Sequence, residues 1–166
     1  MWGFYFGGYM EVGRLYFIKD EFYDRFEKYG LLSNRGEGHN RPCCYMFKIH
    51  KEDNVFWMIP VSSQVEKYEK IYAHAVERYG VCDNIEFGYV LGKKNAFLPQ
   101  NMFPVTIEYI DKEYLDPNTG KPITMSRDFI AKLNAKARKK VRYDFYGKHL
   151  GFSDTVGIYE ELTRNS

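Results

Sequence analysis

The spacing of apolar positions divides the chain into a readable series of elements. Residues 14–18 are apolar and aromatic and predict a strand. Phe22, Phe26 and Tyr29 recur at i, i+4 and i+7, which predicts a short helix capped by Asp20 and closed by Gly30. Residues 33–41 form a polar, glycine-containing loop, and Pro42 biases Arg41 toward an extended conformation. Residues 43–49 and 55–61 read as two strands of a hairpin around a polar turn at 50–54. Pro60 cannot donate to a ladder, so it is expected at an edge or a strand end. Ser63-Gln64-Val65-Glu66 has the form of a capping box. The helix it opens should run to about Tyr79 with Val65, Tyr68, Tyr72 and Val76 on one face, stopped by Gly80. Strands are predicted at 85–91, 95–98 and 103–110, then a turn at 116–120. Ser126 caps a long helix to about Tyr146, and Asp154 caps a last one through Glu161 or Leu162.

Strands in this order are not regularly interleaved with helices, which disfavours a doubly wound parallel sheet. An α+β fold with a mainly antiparallel, partly barrel-like sheet and peripheral helices fits better. A length of 166 residues corresponds to one domain spanning residues 1–166. With 45% hydrophobic and 28% charged residues, disorder, collagen and coiled coil are excluded as the main state. No apolar run approaches the roughly 18 residues of a membrane span. Aromatics reach 18%, which points to a β-rich fold, an aromatic binding surface, or both. Cys43 and Cys44 are adjacent, Cys82 is left over and no CxxC occurs, as in a reduced, cytoplasmic protein. The aromatic, glycine-rich start has no basic region and is not a standard signal peptide. Residues before about Gly13 are expected to contribute little.

Net charge is +2 but unevenly spread. Residues 127–149 carry eight Lys/Arg, Lys148 among them, against Asp128 and Asp144. Such asymmetry suits an acidic partner, although a solvated helix face is the commoner meaning of one charge run. GxGxxG, the P-loop, HExxH and GxSxG are absent. His50 with Glu52 and Asp53, and the Glu108/Asp111 pair, are weak as metal ligands, so neither a metal nor a cofactor is read. Ser62 and Ser63 stand where a strand passes into a helix N-terminus, which favours anions. Lys67 lies one turn beyond Ser63 on roughly the same face. Taken alone, Ser63 is more readily a cap than a catalytic group. If the two hairpin strands pair across the 50–54 turn, Arg41 and His39 come to the same end as Ser62 and Ser63. A cation, an imidazole, two hydroxyls and a helix N-terminus together suit a phosphodiester site working without metal.

The run Arg41-Pro42, an apolar strand, Lys48-Ile49 and then Trp57-Met58-Ile59-Pro60-Val61-Ser62-Ser63 resembles the toxins of type III toxin–antitoxin systems. These are the ToxN/AbiQ group, and the chain is most similar to its CptN-like branch. Leu15-Tyr16-Phe17-Ile18 with a short helix resembles the family's start. Asn95 through Asn101-Met102-Phe103-Pro104-Val105 resembles a later strand, and the basic penultimate helix also matches. The resemblance implies a phage-defence endoribonuclease with a compact, MazF-like core of strongly bent antiparallel sheet. It implies metal-independent cleavage leaving a 2′,3′-cyclic phosphate. It further implies inhibition by a repeated pseudoknot RNA antitoxin, often in closed protein–RNA rings. By position, Ser62 and Ser63 match the family's hydroxyl pair, and Arg41 stands for its basic residue. Val65 and Glu66 occupy the stretch where the family often has Lys, and Lys67 follows.

The roles expected are Arg41 on the phosphate, Ser62 and Ser63 orienting the nucleotide, and His39 moving the proton, with Lys67 in reserve. Lys136, Arg138, Lys139, Lys140 and Arg142 are expected to meet antitoxin phosphates. Two alternatives stand beside the ribonuclease: a non-catalytic RNA-binding module whose aromatics stack bases, and a metal-dependent nuclease with ligands from distant segments.

Overall fold

The computed structural model describes residues 9–33, 35–36, 39–147 and 153–164, with backbone alone at residues 34–39 where described. In chain order the elements are β1 (Leu15–Ile18), α1 (Asp20–Phe26), β2 (Arg35–Gly36), β3 (His39–Asn40), β4 (Pro42–Phe47), β5 (Val55–Ser62), α2 (Val65–Tyr79), β6 (Glu86–Val90), β7 (Lys93–Phe97), β8 (Phe103–Thr106), β9 (Ile110–Glu113), α3 (Arg127–Phe145) and α4 (Thr155–Thr163). Every strand pair is antiparallel. Seven strands form one sheet in the order β6-β7-β5-β4-β1-β9, with β8 on β5, and β2 and β3 form a small hairpin of their own. The fold is α+β as expected, but the sheet is not closed into a barrel.

It forks at β5 instead. One side of β5 pairs with β4; the other pairs with β8 over Val55–Met58 and with β7 over Val61–Ser62. This fork corrects the placement of Pro60, which lies inside the central strand. Its carbonyl accepts the Leu98 N–H at 3.0 Å, so its missing N–H falls on the side where β5 changes partner. No ladder bond is lost at that break.

All eight β5 residues are buried, because both sheet faces are covered. Alternation sends Cys44, Met46, Trp57 and Ile59 to one face under Leu133 and Ala137 of α3. Cys43, Tyr45 and Met58 go to the other, with Phe22 and Phe26 of α1 and Ile158 of α4. A run buried on both faces reads as continuously apolar, as 55–61 does. Tyr68 of α2 seals a third cluster with Cys82, Ile85, Ala96 and Leu98. The apolar face of α2 is Tyr68, Tyr72 and Ala75, whereas Val76 is exposed, contrary to the periodic reading.

Other expectations change locally. Lys19, not Asp20, precedes α1, and Asp20 is its first residue. A 3-10 turn at Glu27–Tyr29 separates α1 from Gly30, whose φ of 80° ends it. The stretch 103–110 is two strands split by a 3-10 turn at Ile107–Tyr109, which carries the chain from β5 across to β1. Residues before Gly13 do contribute: Met10 packs on the core and the Glu11 N–H donates to the Tyr16 hydroxyl at 2.8 Å. Ser126 and Asp154 cap α3 and α4 as predicted, accepting from Phe129 and Gly157 N–H. All three cysteines are free and buried. Among the described residues no helix is long and apolar enough to cross a membrane.

Candidate functional site

The register of the β4–β5 hairpin decides what meets at its open end. Cys43 faces Pro60. Two residues outward on each strand are Arg41 and Ser62, so Arg41 and the Ser pair reach the same end. The β5–β7 pairing sets Ser62 opposite Ala96 and brings Asn95 and Lys93 alongside. The β6–β7 turn is two residues, Leu91 and Gly92, with φ of 51° and 78°. Positive φ at both turn positions matches the right-handed twist of the flanking strands. Tyr114, just after β9, closes the far side and packs on Phe17 with ring centroids 5.1 Å apart. The result is a groove of about 490 Å³ whose polar lining includes Asn40, Arg41, Ser63, Lys93, Asn95 and Tyr114.

Arg41 is 8% exposed, yet it lines this groove. Its Nε donates to the Ser33 carbonyl at 3.1 Å and its Nη1 to the Val61 carbonyl at 3.3 Å. Carbonyls fix the guanidinium without neutralising it, and among the described residues no carboxylate pairs with it. The groups packed beneath it stay neutral at ordinary pH. Burial pushes the Cys43 thiol up to about 12 and the Tyr23 phenol well above its usual range. An undischarged guanidinium in a concave site is a receptor for an anion.

The two serines separate. Ser62 is buried, and its hydroxyl accepts the Gln64 N–H at 3.2 Å, so it builds the turn out of the sheet. Ser63 is exposed and lines the groove. The expected capping box does not form. Gln64 occupies the cap position of α2 without a side-chain bond, and the Val65 N–H is taken by the Ser63 carbonyl at 2.8 Å. The Ser62 turn starts the helix one residue later than the motif predicts. The Ser63 hydroxyl has no protein partner among the described residues and is left to whatever enters the groove.

Lys67 is exposed on α2 with its ammonium 5.2 Å from the Tyr68 ring, and it is not part of the groove lining. The His39 backbone pairs with Gly36 in the β2–β3 hairpin, two residues before Arg41; its side chain is outside the described set. Lys93, Asn95, Asn40 and Tyr114 join the site without having been singled out as site residues. Asn40 adjoins Arg41 in the chain, but the signal for the other three was topological: the β5–β7 pairing brings Lys93 and Asn95 near and the β1–β9 pairing Tyr114, and neither pairing is local in sequence.

The basic helix divides as well. Lys136 bonds Glu86 at 2.9 Å and the Ile85 carbonyl at 2.8 Å. Lys139 is paired with Asp83. Lys140 is buried, bonded to Asp144 at 2.6 Å, and burial lowers its pKa. A buried, internally paired ammonium is not available to a phosphate, which corrects the expectation for Lys140. Arg138 and Arg142 are exposed, and no carboxylate pairs with either among the described residues. Lys148 and His149 lie outside the described residues. Among the described residues no three His, Cys, Asp or Glu side chains gather into a cluster that could hold a metal ion.

No family model and no curated protein matches the chain. A solved structure does: AbiQ, a lactococcal anti-phage endoribonuclease belonging to the type III toxin–antitoxin system. The two chains are 18% identical, the match covers 93% of this chain and 98% of that one, and the TM-score is 0.66. A likeness over nearly the whole of both chains is one of overall fold. The chain has the fold of AbiQ, in keeping with the resemblance its motifs carry to the ToxN/AbiQ group.

Proposed function

We propose that the protein is an endoribonuclease toxin of a type III toxin–antitoxin system, and that the groove at the open end of the β4–β5 hairpin is its active site. The observation that carries this reading is the meeting of Arg41 and Ser63 in one groove, in a fold shared with an endoribonuclease. The reaction is an in-line displacement at phosphorus. A ribose 2′-oxygen bonds to the adjacent phosphorus as its proton leaves, and the bond to the 5′-oxygen breaks as that oxygen takes up a proton. The products end in a 2′,3′-cyclic phosphate and a 5′-hydroxyl, and no metal is needed.

Arg41 compensates the charge that grows on the non-bridging oxygens, from a position fixed before the RNA arrives. The Ser63 hydroxyl donates to the phosphate or holds the reacting nucleotide. A guanidinium is a hydrogen-bond donor and not a proton acceptor, so Arg41 is not assigned as the base. His39, two residues upstream, is assigned to proton transfer. Ser62 positions Ser63 through the turn and touches no substrate, and Lys67 takes no part. An RNA antitoxin, built of repeats and closing a ring with the protein, would inhibit by occupying the same basic surface.

The test is a cleavage assay on Arg41→Ala and Ser63→Ala, with folding checked by thermal melting. Each should lose about 10²-fold or more in rate, the usual cost of one preorganised contact. Lys67→Ala should cleave like the parent. Two folded variants that both keep the parent rate would overturn the assignment.

A further inference from the structure

A second groove lies on another part of the molecule, and the cleavage reading makes no use of it. It has a volume of about 370 Å³ and sits between the last turns of α3, the end of β4 and α4. Its lining includes four aromatic rings, Phe47, Phe145, Tyr146 and Tyr159, together with Arg138 and Arg142. The rings are not all buried: Phe145 is 41% exposed and Tyr146 78%. They rest on a firm base. Phe145 and Tyr159 pack against buried Trp57 at 6.0 and 6.1 Å between centroids. The Tyr159 hydroxyl donates to Asp53 at 3.0 Å, which fixes the ring and occupies that acid.

The two arginines stand one helical turn apart, about 6 Å along the axis. The Arg138 guanidinium lies 4.5 Å from the Phe47 ring centre, and its Nε donates to Asn134 rather than to an acid. Lys136, Lys139 and Lys140 on the same helix all pair with acids. Among the described residues, Arg138 and Arg142 are therefore the cations of the 136–142 stretch that no acid compensates, and they flank exposed aromatic rings. A solvated face would scatter its charges and bury its rings. Exposed π-faces beside unpaired guanidiniums fit a ligand with a flat ring and a neighbouring negative charge.

The geometry points to this groove as a binding site for an unpaired nucleotide of single-stranded RNA, its base on the rings and its phosphates on Arg138 and Arg142. The inference rests on the reading that the protein acts on RNA, but not on cleavage. It also sharpens the role of the basic helix: contact is made by two arginines at one end, not by a continuous stripe.

The probe is a fluorescein-labelled ten-residue oligoadenylate carrying 2′-O-methyl groups, which the proposed reaction cannot cut. Binding is read by anisotropy on the full chain, against salt. Arg138→Gln with Arg142→Gln should weaken binding at least tenfold and flatten the log–log salt slope by about 1.4, two single-strand phosphate contacts. Tyr146→Ala should weaken binding about 5- to 150-fold, the range for one lost base stack, and Tyr146→Phe should restore it. An abasic strand of equal length should bind less tightly than the oligoadenylate. Parent-like affinity in the arginine pair, or equal binding of the abasic strand, would overturn the site. So would binding of an oligoglutamate peptide in preference to the oligonucleotide. Lys67→Ala, at a residue that lines neither groove, should bind the probe like the parent. A failed cleavage site shows as parent-like cutting by Arg41→Ala and Ser63→Ala, and a failed nucleotide site as parent-like affinity in the arginine pair, so the two failures are distinct.

Discussion

Ser62 and Ser63 are chemically identical neighbours with different tasks, and the difference is one of burial. Ser62 is buried with its hydroxyl on the Gln64 N–H; Ser63 is exposed in the groove. Ser62→Ala should therefore cost about 1 kcal/mol of stability, the worth of one net hydrogen bond, with a smaller effect on rate than Ser63→Ala. Denaturant unfolding read beside a cleavage assay separates the two. Tyr159 carries a prediction in pH. Burial first, and then its bond to Asp53, raises its phenol from 10.0 to about 12. With the folded pKa above the unfolded one, its stabilisation is complete below pH 10 and is lost as pH rises toward 12. Unfolding at pH 9 and pH 11 should show a larger loss for the parent than for Tyr159→Phe. The residue types of the main site were legible in the sequence because hairpin pairing alone brings Arg41 to the Ser pair. Which serine faces the groove was not, since that turns on a Ser62–Gln64 bond that competes with the capping motif.

A serine ahead of a helix reads correctly as its cap at Ser126 and incorrectly at Ser63, and the contrast shows what local sequence can decide. Ser126 is preceded by an irregular segment, so its hydroxyl is free to accept from Phe129 N–H. Ser63 follows directly on a strand, and the exit turn consumes the first donors. Gly88 shows a tertiary demand no local pattern reveals: a Cβ there would come within 2.6 Å of the Phe129 ring where α3 crosses β6. The junction of α3 with α4 is a buried polar one. Lys140 and the Thr155 hydroxyl, at 2.6 and 2.7 Å, both donate to one oxygen of Asp144. The +6 segment conceals it, because charge counting does not tell an exposed lysine from a buried pair. Asp144→Ala should leave the Lys140 ammonium buried without its partner and cost about 3–5 kcal/mol. Lys140→Met combined with Asp144→Leu should recover much of that loss in a thermal melt, as apolar groups of similar volume fill the gap.

At the scale of the whole molecule, the order of elements made α+β legible and the apolar runs announced strands buried on both faces. The forked sheet was not legible, because it depends on β5 exchanging β8 for β7 at Pro60, two partners more than 30 residues downstream in sequence. That fork is also what brings Lys93 and Asn95 to Arg41 and so completes the groove. We propose above that this groove cuts RNA by 2′-hydroxyl attack. The most direct measurement is the chemistry of the ends made when purified protein meets single-stranded RNA in excess EDTA. Cleavage in chelator is expected, with every new 3′ end a 2′,3′-cyclic phosphate and every new 5′ end a hydroxyl, and little of either with Arg41→Ala. RNA left intact in EDTA but cut once a divalent cation is restored, with 5′-phosphate ends, would contradict it.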